Sequence, residues 1–309
     1  MAYYSLLKRD EVTLLNAPFG KVVTAMITPF TENGEVSYEN AAKIANYLVE
    51  HGSDAIVVAG TTGESPNLSN EEKLKLFTTV VNAVKGKAKV IAGTGSNSTK
   101  QTVELTKQAE ACGVDGIMLV VPYYNKPSQE GLYRHFAAVA QTTLLPLMLY
   151  NVPGRTVTNM AADTTVRLAK TFANVIAIKE ASGDLEQIAR IRCNAPQDFA
   201  IYSGDDALTL PILAVGGCGV VSVASHIVGK EIKEMISSYY SGDHDKALAI
   251  HLRLLPLFKA LFITANPAPV KGAMRMLGHQ VGPLRLPLVD LNHEEKELIK
   301  KELQKLGYL

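Results

Sequence analysis

The chain has 309 residues, 31 Lys and Arg against 30 Asp and Glu, 47% hydrophobic side chains and 20% charged ones. That balance excludes a disordered, collagen-like or coiled-coil chain, and a net charge of +1 argues against a broad nucleic-acid surface, which needs clustered basic residues to displace counterions. Three scattered cysteines, Cys112, Cys193 and Cys218, suit a reducing, cytoplasmic compartment better than a disulfide framework or zinc site.

No apolar stretch reaches the roughly 18 residues that a bilayer span requires. The N-terminal MAYYSLLKRDEVTLL carries charges where a signal peptide needs its apolar segment. Residues 1–21 are expected to form an arm. From Val22 onward, short apolar runs rich in β-branched residues alternate with helix-period segments. The first run, VVTAMIT, precedes Ser37 and a helix with Ala41, Ile44, Ala45 and Leu48 on one stripe and Gly52 as its stop. The second run starts at Ala55 (AIVVAG). It is followed by Ser69, whose Glu72 three residues on makes a capping-box pattern. Lys89 opens KVIAG and Ser98 opens a helix ending at Gly113. Gly116 opens GIMLVV, and Ser128 opens QEGLYRHFAAVAQ. Runs from Pro146 (PLMLY), Val175 (VIAIKE), Phe199 (FAIYSG) and Gly219 (GVVSV) complete the set.

Eight near-continuous apolar strands, each followed by a helix over residues 22–241, match the size and rhythm of a (β/α)8 TIM barrel. A doubly wound open sheet is the rival, because alternation alone does not distinguish closure from openness. The eightfold count and the incomplete glycine fingerprint in GTGSNS favour the barrel. Residues 242–309 read as helices with apolar faces, an appended C-terminal helical layer on the barrel.

Barrel chemistry collects at the C-terminal strand ends. There the sequence places GTTGES, AGTGSN, PYYNKPS, YNVPGRT, IKEASGD, SGDD and SVAS. Within VIAIKE, strand alternation turns Lys179 to the barrel axis if Ile178 and Glu180 face the helices. An ammonium among apolar walls is costly, so its pKa falls and the free amine becomes nucleophilic. A lysine at a strand end also snorkels readily to solvent. Tyr150 ends the fifth strand, where a phenol aimed inward moves protons and a packed one merely fills space. Thr61 and Thr62 sit in a glycine-bounded loop whose amides and hydroxyls make a carboxylate cradle. With no lysine after the glycine, this is not a nucleotide-binding loop. Arg155, after Pro153-Gly154, offers a bidentate fork for a second carboxylate, or else a solvated surface cation. Asp54, Asp115, Asp205 and Asp206 are candidates for lysine pairs or helix caps. The seven histidines, His51, His135, His226, His244, His251, His279 and His293, lack metal-ligand spacing, so no metal is implied.

The ordered set GTTGES, PYYNKPSQEGLYRHF, LYNVPGRT, IKEASGD, SGDDA, GVVSV and NPAPVKGAM closely resembles the dihydrodipicolinate synthase family. That family lies within the pyruvate-dependent class I aldolases that include N-acetylneuraminate lyase. The likeness runs from about Val22 to the C-terminus. It implies that Lys179 forms an imine with pyruvate, and that the derived enamine adds to L-aspartate 4-semialdehyde. Ring closure then releases 4-hydroxy-tetrahydrodipicolinate in the diaminopimelate and lysine pathway. By the same resemblance, Tyr150 shuttles protons with Thr61 and with Tyr124 from a neighbouring subunit. Thr62 holds the pyruvate carboxylate, Arg155 receives the semialdehyde carboxylate, and Gly204 and Val221 line the pocket. No cofactor is implied beyond the imine itself, and the partners are copies of the same chain, a dimer of dimers.

Family members inhibited by lysine bind it in a cleft whose matching positions here are Ser65, Asn70, Lys73, Asn97, Gln101 and Tyr123. Sensitive members tend to carry histidine at Lys73 and glutamate at Gln101. A cationic Lys73 repels the ligand's ammonium groups and neutral Gln101 removes an anionic partner, so lysine inhibition is expected to be weak or absent. Two other readings compete. A sugar-acid aldolase of the same superfamily typically has serine where Thr61 stands and lacks the Arg155 match. A non-catalytic barrel has no need of a buried amine beside a phenol.

Overall fold

The computed structural model describes residues 16–309; residues 1–15 of the expected arm lie outside the described residues. Eight parallel strands close into a barrel in sequence order. They are β1 (Val22–Ala25), β2 (Ala55–Val58), β3 (Lys89–Gly93), β4 (Gly116–Val120), β5 (Leu147–Asn151), β6 (Val175–Glu180), β7 (Ala200–Ser203) and β8 (Gly219–Ser222). The strand starts fall within one residue of the sequence reading, and the open-sheet rival is excluded by the pairing of Val22 and Val23 in β1 with Val220 and Val221 in β8.

Alternation sorts each strand into an inner and an outer face. Val23, Val57, Ile91, Met118, Met148, Tyr150, Ala177, Tyr202 and Val221 fill the barrel. Ile56, Val90, Ile117, Leu149, Ile178 and Val220 join the larger core between strands and helices. Two sets of apolar residues with a period of two along one strand leave no face for solvent, which is why these runs read as continuously hydrophobic. At the strands' N-terminal end Phe19 closes the barrel, its backbone N–H donating to the Tyr202 hydroxyl at 3.0 Å.

Around the barrel run α1 (Tyr38–Glu50), α2 (Asn70–Val84), α3 (Thr99–Ala111), α4 (Gln129–Ala140), α5 (Pro153–Thr156), α6 (Ala162–Thr171), α7 (Leu185–Asn194), α8 (Thr209–Ala214) and α9 (Ser225–Tyr240). The helix starts anticipated at Ser37, Ser69, Ser98 and Ser128 are all side-chain N-caps, and Ser69 with Glu72 forms the complete capping box. Each such cap satisfies an otherwise orphaned amide and contributes about 1 kcal/mol. The candidate aspartates act as staples. Asp54 accepts from the backbone N–H groups of Lys21 and Val22 and pairs with Lys233, while Asp115 accepts from the Val90 N–H.

Beyond the barrel, α10 (His244–Ala260) packs along α9, and α12 (His293–Lys305) packs against α10 and α11 (Ala268–Met276). No helix among the described residues is long and apolar enough to cross a membrane.

His226, fully buried at the start of α9, stitches the ends of two strands together. Its Nε2 accepts from the Ile27 N–H at 3.1 Å, and its Nδ1 contacts the Val223 carbonyl at 2.8 Å. The neutral ring is the form that fits both partners, and burial lowers its pKa from 6.5 to about 4. A depressed folded value means the unfolded chain binds more protons between those limits. Stability from this residue is therefore complete above pH 6.5 and lost as pH falls through about 4. The expected loss is about 3 kcal/mol. Thermal unfolding between pH 7.5 and 4.5 should show it, and His226→Asn should flatten that slope.

Candidate active site

At the C-terminal ends of the strands lies a cavity of about 270 Å³, walled by residues of the β2, β3, β4 and β5 ends. Thr61, Tyr150, Arg155, Ser65 and Tyr123, all singled out in the sequence, line it together. Lys179 stands on the next strand. The pairing of β5 with β6 sets Tyr150 directly beside Lys179, and both are nearly inaccessible to water, at 4% and 5% exposure. The Lys179 Nζ lies 4.1 Å from the centroid of the Tyr150 ring. The alternation argument holds: Ile178 packs in the outer core while Ala177, in phase with Lys179, fills the barrel interior.

Room for the Lys179 side chain depends on Gly204, just past β7. A Cβ there would come within 3.2 Å of Lys179 Cε and 2.6 Å of Ala181 Cβ. Val221 is buried in the interior cluster with Tyr150. Gly93, ending β3, allows a similarly close approach, since a Cβ would meet the Ala59 carbonyl oxygen at 2.4 Å. That contact presses the β3 end against the start of the GTTGES loop.

Thr62 is buried, and its Oγ1 accepts from Asn266 Nδ2 at 3.0 Å. Arg155 lies exposed in the short helix α5, facing the cavity without a carboxylate partner among the described residues. Tyr124 is 90% exposed, on a backbone with φ of 75°. A large aromatic held outward on left-handed backbone is an unusual use of a tyrosine in an isolated barrel. Of the six positions expected to form a regulatory cleft, Ser65 and Tyr123 border the cavity. Asn70 and Gln101 are exposed, and Lys73 and Asn97 are half-buried. Partial burial lowers the Lys73 pKa.

Sequence reasoning missed the supports beneath this site. Glu64, two residues past Thr62 with φ of 56°, forms a fully buried ion pair with Lys271 at 2.7 Å. Lys271 Nζ also donates to the Pro283 carbonyl and lies 4.2 Å from the Phe30 ring centroid. Burial pushes the Lys271 ammonium down to about 8, against the opposing pull of Glu64. Asn266 and Lys271 both belong to the motif NPAPVKGAM, the one signal that could have pointed to them. Their partners lie more than two hundred residues away, beyond the reach of any local pattern.

Residues 18–306 match the model of the Dihydrodipicolinate synthetase family. The chain belongs to that family. It is 57% identical over 291 residues to the 4-hydroxy-tetrahydrodipicolinate synthase of Moorella thermoacetica, covering 94% of this chain and 99% of that one. Among solved structures of the family, dihydrodipicolinate synthase from Cyanidioschyzon merolae with lysine bound is 52% identical. Its TM-score is 0.93, over 94% of this chain and 99% of the other. The chloride-inhibited family enzyme from Acinetobacter baumannii, complexed with pyruvate, is 36% identical with a TM-score of 0.91, over 94% and 100% of the two chains.

Proposed function

We propose that this protein is a 4-hydroxy-tetrahydrodipicolinate synthase of lysine biosynthesis, and that Lys179 is its nucleophile. The observation that carries the assignment is the buried amine of Lys179, 4.1 Å from the Tyr150 ring, beside a cavity lined by Thr61 and Arg155. The uncharged amine attacks the keto carbon of pyruvate, and loss of water leaves an imine. The imine accepts the electron pair released when a methyl proton departs, giving an enamine. The enamine carbon bonds to the aldehyde carbon of L-aspartate 4-semialdehyde, and the resulting alkoxide takes up a proton. The substrate's own amine then adds to the imine carbon and expels Lys179 as the ring closes.

Each of these steps moves a proton, and Tyr150 with Thr61, which line the same cavity, is the proposed carrier. Thr62 and the neighbouring loop amides hold the pyruvate carboxylate. Arg155 takes the semialdehyde carboxylate as a bidentate pair, while Gly204 and Val221 shape the wall. Tyr124, outward in the single chain, completes the relay in the neighbouring subunit, so the working form is at least a dimer and is expected to be a dimer of dimers.

Borohydride reduction in the presence of pyruvate, followed by mass spectrometry, tests the reading. A pyruvyl adduct on Lys179 is expected, and an unmodified Lys179 would defeat it. A substrate panel separates it from a sugar-acid aldolase: cleavage of a sialic acid without condensation of the semialdehyde would reverse the assignment. In the same assays Arg155→Ala should leave adduct formation near the wild-type rate. It should raise the semialdehyde KM by about tenfold or more, the loss of a charge-assisted bidentate contact.

Ser65, Asn70, Lys73, Asn97, Gln101 and Tyr123 are proposed to form a regulatory cleft that binds lysine poorly. The cation at Lys73 and the missing anion at Gln101 both oppose the ligand. Titration of activity with lysine should show little inhibition at millimolar concentration, and half-inhibition below a millimolar would contradict it.

A further inference from the structure

Glu180 is fully buried on the face of β6 opposite Lys179, and the reaction above gives it no part. Strand pairing puts it beside Asn151 of β5, one step past the Tyr150–Lys179 pair. Asn151 Nδ2 donates to both carboxylate oxygens, at 3.0 and 3.1 Å, and to Asn159 Oδ1 at 2.7 Å. The Ser182 N–H donates to Glu180 Oε1 at 2.8 Å and Gln187 Nε2 donates to Oε2 at 3.2 Å. Asn151 Oδ1 accepts from the Met160 N–H, and Asn159 Nδ2 donates to Gln187 Oε1.

These three donor groups, making four contacts, leave a protonated carboxyl no acceptor for its proton, so the anion is the form this network fits. Among the described residues it makes no salt bridge. Burial raises the Glu180 pKa above the ordinary carboxylate value. The sign follows from linkage: a raised folded value means the anion costs stability at neutral pH rather than supplying it. A buried charge kept at such a cost, sharing a strand end with the nucleophile, calls for a reason other than stability.

Geometry supplies one. Successive residues of a strand point to opposite faces, so whatever holds Asn151 against Glu180 outside the barrel fixes the stagger of Tyr150 against Lys179 inside it. We propose that Glu180 is a positioning residue: with Asn151 it clamps the outer face of the β5–β6 seam and so sets the Lys179 amine against the Tyr150 ring. The inference rests on the imine reading above, which makes that pair the reacting one.

The test is the rate of borohydride-trapped adduct with pyruvate in E180Q, in N151S and in the exchange N151D/E180Q, alongside thermal midpoints. E180Q keeps the shape but turns an amide N–H₂ toward groups that are already donors. Adduct formation and kcat should fall about tenfold or more per folded molecule, since small misplacements of a nucleophile have effects of that size, while the semialdehyde KM stays near wild type. N151S should slow the same step, and it carries the test if E180Q does not fold. The exchange rebuilds a carboxylate–amide contact across the seam and should recover most of the lost rate. Wild-type adduct rates in E180Q or N151S would overturn the clamp, as would a folded exchange variant no faster than E180Q. A wild-type protein that forms no adduct would instead refute the imine reading itself.

Discussion

Lys179→Ala is expected to abolish turnover, by on the order of 10⁴-fold or more, while leaving the fold intact. The truncation deletes the only group in the proposed reaction that bonds to substrate, so neither the carboxylate contacts nor the phenol compensates. Stability should hold for a separate reason. The lost side chain is a buried amine over an aromatic ring beside a solvent-connected cavity, where water fills the space left behind. Lys179→Arg sharpens the experiment. A guanidinium keeps the length of the side chain but stays protonated and forms no imine, so it should be as inactive as alanine and give no adduct. Substantial turnover in either variant would show that charge or binding, rather than covalent chemistry, carries the reaction.

The second large effect is on stability. Lys271→Ala should destabilise the protein by about 3–5 kcal/mol, because it strands the Glu64 carboxylate in the interior without its cation. For a chain of this size that corresponds to a fall in thermal midpoint on the order of 10 °C. Glu64 Oε2 keeps only the Arg285 N–H at 3.1 Å and a long contact from Asn67, too few to satisfy a buried anion. Activity should fall too, since Glu64 lies two residues past Thr62 in the loop proposed to hold the pyruvate carboxylate. The double variant Glu64→Gln/Lys271→Met removes both charges and should regain much of the lost stability. Chemical denaturation of the two single variants and the double one measures the coupling. Additive losses would show that the two side chains do not act as a pair.

Much of the site was legible before any coordinates because the chemistry follows strand ends. The phase of VIAIKE turned Lys179 inward, and PLMLY led to Tyr150, one residue before β5 ends. GTTGES was read as a loop with exposed amides, whereas its Gly63, Glu64 and Ser65 N–H groups bond back to the Gly60 and Thr61 carbonyls. The same reading passed over Glu180 as the outward neighbour of an interesting lysine. It could not see that Asn151, Ser182 and Gln187 all aim donors at it. Arg155 was expected in a constrained loop after Pro153-Gly154; the structure winds that segment into the short helix α5, with Arg155 exposed on it and lining the cavity.

Periodicity and capping by themselves determined where this chain makes strands and helices and which side chains each strand turns inward, because those depend on residues a few positions apart. Closure of β1 on β8, the stagger that seats Tyr150 beside Lys179, and the reach of Asn266 and Lys271 back to Thr62 and Glu64 were decided only by the tertiary structure. The physical reason is that a repeat of two or 3.6 residues fixes direction but not distance. Strand tilt and shear in a closed barrel are set by all eight strands at once, and no short segment carries that information.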